Sequence, residues 1–62
     1  SRFVVHTFYK EFVMYELFVD FGEFLFPVVV AGHTHMNLSA VRFWAPLASK
    51  HYGKRVVVNR VS

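Results

Sequence analysis

Residues 12–31, "FVMYELFVDFGEFLFPVVVA", form an apolar run of bilayer length into which Glu16, Asp20 and Glu23 are set. About 20 residues suffice for a helix to cross a bilayer. Each carboxylate at mid-membrane costs on the order of 2.5–3.5 kcal/mol, so such acids are retained where they face protein or water. On a helical wheel the spacing i, i+4, i+7 places all three in one sector, and Phe12, Tyr15, Phe18, Phe21, Leu25 and Phe26 fill the rest. Alternation of period two fails across "ELFVDFGEFLF", where polar residues recur at gaps of four and three. The pattern predicts a mainly α chain. One long aromatic-rich helix is expected over about 5–26, continuing to 31 as a transmembrane span kinked at Pro27. Glu16, Asp20 and Glu23 are then partner contacts, turned towards polar or cationic groups of a neighbouring subunit.

The chain has 62 residues, and one this short buries too little of itself to be comfortably stable alone. It contains no Cys, which excludes disulfides and thiolate metal sites as staples. Hydrophobic residues make up 55% and aromatic residues 19% of it, too much for so small an interior to absorb. Disorder does not fit that composition, so oligomer, partner or membrane must cover the excess.

Charge divides along the chain. Residues 1–26 carry two bases and four acids, whereas 27–62 carry five bases and no acid. The whole is one small unit: an apolar helix with an acidic stripe over 5–31, then an irregular basic extension over 32–62 with a short β-strand at 55–61. Arg42, Trp44, Lys50, Lys54, Arg55 and Arg60 are the candidate contacts with an interface or an anionic surface, since amphipathic rings and cations favour headgroup depth. The bias of bases after the helix places that extension on the matrix or cytoplasmic side.

Residues 32–35 read "GHTH" after the apolar "VVVA". This string resembles the last metal-binding motif of calcineurin-like metallophosphoesterases, where a strand ends in G-H-x-H. The resemblance implies that His33 and His35 ligate a dinuclear metal centre. The D-x-H, G-D-x-x-D and G-N-H-[DE] motifs of that family do not occur in these 62 residues. Two imidazoles alone fall short of the three or four protein ligands of a zinc site, so no metal and no cofactor is expected. Gly22, Gly32 and Gly53 stand too far apart for a phosphate-binding loop, and no nucleophile is paired with a base by spacing. Catalytic residues are therefore not expected.

The resulting expectation is a non-catalytic accessory subunit of a multi-subunit membrane complex. Small, Cys-poor, Phe-rich subunits point by composition to an energy-converting assembly of an organellar inner membrane, a respiratory complex or an ATP synthase. Its partners would be other protein subunits and lipid, with no small-molecule substrate. Two alternatives stand beside it: a structural protein of an organellar ribosome, with RNA as partner, and the C-terminal fragment of a metallophosphoesterase.

Overall fold

The computed structural model describes residues 13–62, and within them the order is β1 (Tyr15–Asp20), β2 (Leu25–Pro27), β3 (His35–Met36), α1 (Leu38–Tyr52) and β4 (Arg55–Arg60). The expected mainly α architecture is overturned. Among the described residues four antiparallel strands carry one helix, and the helix lies where an irregular extension was expected. Residues 5–12 of the expected helix lie outside the described residues. No helix among the described residues is long and apolar enough to cross a membrane, which removes the transmembrane helix.

The error has a physical source in the number four. Residues 16 and 20 share a face of a helix, but they also share a face of a strand, whose period is two. From Tyr15 to Asp20 the side chains do alternate: Leu17 and Val19 are buried, while Glu16, Phe18 and Asp20 lie on the other face. Phe18 disguised that alternation by standing between the two acids. It does so because its cross-strand neighbours, Val57 and Pro27, form an apolar centre on the same face.

β1 is the hub of the sheet. β4 pairs along its full length, from Tyr15↔Arg60 to Asp20↔Arg55. Its other edge is shared, with β2 against Phe18–Asp20 and β3 against Tyr15 and Glu16. Tyr and Val suit a pleated, half-buried surface, and Val56, Val57 and Val58 supply the same in β4. β4 falls inside the 55–61 stretch.

α1 starts at Asn37, whose side-chain oxygen accepts the N–H of Ala40 at 2.9 Å. It stops at Gly53, whose φ of 65° is the left-handed conformation that terminates many helices. The Gly53 N–H donates to the Ser49 carbonyl at 2.8 Å, and Ser49 Oγ–H donates to the Lys54 carbonyl at 2.7 Å. Small residues allow the helix to lie close to the sheet: Val41 is buried, with Ala40 and Ala45 packed beside it. Together with Leu17, Val19 and Met36, Val41 completes the set of buried apolar side chains among the described residues.

Candidate functional site

The outer face of α1 is apolar and open. Phe43 is 60% exposed, Leu47 46% and Trp44 36%, and the Phe43 and Trp44 rings meet edge to face with centroids 5.0 Å apart. Positions 44, 47, 48 and 51 follow helical spacing, and Trp44, Leu47, Ala48, His51 and Tyr52 line a shallow groove of about 350 Å³. Pro46 lies inside α1 and has no N–H to offer the Arg42 carbonyl. Arg42 and Lys50 are exposed on the same helix.

Tyr52 connects that groove to a second aromatic group at the β1–β2 turn. Its ring lies 5.8 Å from Phe21 and 6.1 Å from Phe26, and Phe21 stacks on Phe24 at 5.2 Å. Phe24 and Phe26 remain more than 40% exposed despite these contacts. The aromatic surface therefore runs from the helix across its C-terminal end to the turn. Aromatic side chains contribute much contact area at little entropic cost, which is why they concentrate at protein interfaces.

Glu16 and Asp20, read from the sequence as a stripe with Glu23, lie on the sheet face opposite α1. Glu16 Oε1 accepts the Asn59 side-chain N–H at 3.0 Å, and Glu16 Oε2 is 3.6 Å from His35 Nε2. Asp20 Oδ1 accepts the Gly22 N–H at 2.8 Å, and Asp20 Oδ2 pairs with Arg55 at 3.3 Å. Those bonds, the backbone one first and Arg55 second, hold the Asp20 carboxyl below the usual range. Glu23 stands apart from both, exposed in the turn between β1 and β2.

The six basic-region residues are dispersed. Arg42, Trp44 and Lys50 are on α1, Lys54 follows it, and Arg55 and Arg60 occupy the two ends of β4. Arg55 is engaged by Asp20, and Arg60 Nε–H donates to the Ser62 carbonyl at 2.6 Å.

His33 and His35 border a separate open groove of about 400 Å³, whose other walls include Met14, Val30, Met36 and Asn37. Ala31 and Gly32, with φ of 52° and 80°, make the two-residue turn that fixes His33. Val30 and His33 exchange both backbone hydrogen bonds there at 2.9 Å. Among the described residues no group of three or more His, Cys, Asp or Glu is placed to hold a metal. Sequence reading missed Leu47 as a surface feature; the helical spacing of Trp44, Leu47 and His51 was the signal that could have found it.

No family model, curated protein or solved structure matches the chain. The resemblance to metallophosphoesterases thus has no specific part beyond the string at 32–35.

Proposed function

We propose that this chain is a non-catalytic accessory subunit that docks on a larger protein through the outer face of α1. The observation that carries the reading is the exposed Phe43, Trp44 and Leu47 set over an interior of few buried side chains. Such a surface in water is unfavourable, and burial at about 25 cal/mol per Å² would stabilise both the contact and the fold. Phe43 and Trp44 supply anchors of the kind that dominate binding energy, and Arg42 and Lys50 beside them favour an acidic rim on the partner. The composition argument for an assembly at an organellar inner membrane stands as the narrower form of the proposal, with the subunit held peripherally by its neighbours.

The test is the size of the particle in which the chain travels in its own cells. A tagged chain should migrate with a large assembly. Phe43→Ser with Trp44→Ser should release it, while circular dichroism of the purified variant keeps the native strand and helix signal. A native chain that migrates as a free small protein overturns the proposal. Release by nuclease overturns it in favour of the ribosomal alternative, and flotation of the purified chain with anionic vesicles alone assigns the surface to lipid.

A further inference from the structure

The two edges of the sheet differ. On one side β2 offers three residues that include Pro27, which has no N–H, and β3 offers two. On the other side β4 runs through Arg55–Arg60 without proline or glycine, and among the described residues it pairs with β1 alone.

The register shows which groups of β4 are open. The Val61 N–H donates to the Met14 carbonyl at 2.9 Å, so Met14 and Val61 form a hydrogen-bonded pair. Such pairs alternate along an antiparallel ladder. Asn59, Val57 and Arg55 therefore turn their backbone groups to β1, whereas Arg60, Val58 and Val56 turn theirs outward. Val58 is 44% exposed, and Arg60 is exposed beside it. A row of outward N–H and C=O groups is a template for another strand. We infer that this edge takes up an extended segment of a partner protein, with β-branched or apolar residues between acidic ends, as an added strand of the sheet.

Charge selects that partner. Lys54, Arg55 and Arg60 bracket Val56, Val57 and Val58, and no acid follows Glu23 in the sequence. The Arg55 side chain stays 85% exposed although Asp20 pairs with it, so a second carboxylate can reach it. Arg60 commits Nε to the Ser62 carbonyl, and its guanidinium keeps further N–H donors. A second copy of β4 suits the edge poorly. It brings another Lys54, Arg55 and Arg60 against the first, and like charges across a strand pair are destabilising. In strand addition the main chain supplies affinity and the side chains supply specificity.

The probe is the end-capped peptide Glu-Thr-Val-Thr-Val-Glu, titrated against the whole chain with amide hydrogen exchange read by NMR. Saturable binding should slow exchange at Val56, Val58 and Arg60 and leave Val57 and Asn59 unchanged, since β1 already holds those two. The same peptide with Lys at both ends should bind about tenfold more weakly, because both end pairs become repulsive. Val58→Pro removes an outward N–H and spares every bond to β1, so the fold is kept and affinity should fall by at least about tenfold. Phe43→Ser with Trp44→Ser, which disables the outer face of α1, should leave peptide affinity unchanged, so the two surfaces are tested separately. Absence of protection at Val56, Val58 and Arg60, or unchanged affinity in Val58→Pro, overturns strand addition. Equal binding of the two peptides overturns the acidic partner. Protection that grows with chain concentration alone overturns it in favour of a second copy, and protection by an RNA oligonucleotide but not by the peptide overturns it in favour of nucleic acid.

Discussion

Asp20 and Arg55 face each other at the last register position of the β1–β4 ladder, with Arg55 Nη2 3.3 Å from Asp20 Oδ2. The same carboxylate closes the turn after β1 by accepting the Gly22 N–H. One side chain thus joins the sheet edge to the β1–β2 hairpin.

This arrangement predicts an acid-sensitive fold. Asp20 titrates below its ordinary value of 3.8 in the folded chain, so its contribution is complete above that pH and is lost as pH falls through the lowered value. Melting temperature should drop as pH falls below about 4. Asp20→Asn keeps the acceptor for Gly22 but removes the charge, so its melting temperature should vary less over that window. Equal slopes for both proteins would show that Asp20 is not responsible.

Gly53→Ala should destabilise the chain by about 1–2 kcal/mol, because a Cβ in the left-handed region meets the neighbouring carbonyl. Space is not the issue, since nothing lies within 4 Å of where the Cβ would stand. Urea midpoints of the two proteins measure the difference. A loss much above that range would mean that Gly53 has a second role.

Pro46→Ala should act in the opposite direction. Proline inside a helix forgoes a backbone bond and crowds the preceding turn, at a cost on the order of 3 kcal/mol, and Pro46 is exposed with no buried contact to lose. A gain of about 1–3 kcal/mol in unfolding free energy is expected. An unchanged or lower stability would place Pro46 in a packing role.

Leu17→Ala should remove the fold outright. Its side chain is fully buried beside Met36 and Val41, and deletion of a buried leucine costs about 2–5 kcal/mol. A small interior has little reserve against that. Loss of amide dispersion in an NMR spectrum is the readout, and a dispersed spectrum at 25 °C would contradict the expectation.

The apolar excess and the β-prone "RVVVNR" were legible in the sequence, whereas the helix between Asn37 and Gly53 was not read from it. It misled at 15–20, where a spacing of four satisfies both periods, and Phe18 on the polar face tipped the reading towards helix. Pro46 obscured α1 in the same manner, by interrupting an otherwise periodic "VRFWAPLAS". The pairing of Tyr15 with Met36 was not legible, because it joins distant parts of the chain in a way that no local pattern expresses.

The long ladder between β1 and β4 also governs when the domain can form. Its side-chain links join residues 35 and 43 positions apart, such as Arg55 with Asp20 and Asn59 with Glu16. Closing so distant a pair is slow, because the loop entropy is spent before the strands reward it. During synthesis β1 would leave the ribosome tens of residues ahead of its full-length neighbour. Until Arg60 emerges, one whole edge of "YELFVD" stays open to any other strand. Crowded translation, more than heat, is therefore the condition under which this chain is most exposed to misassociation.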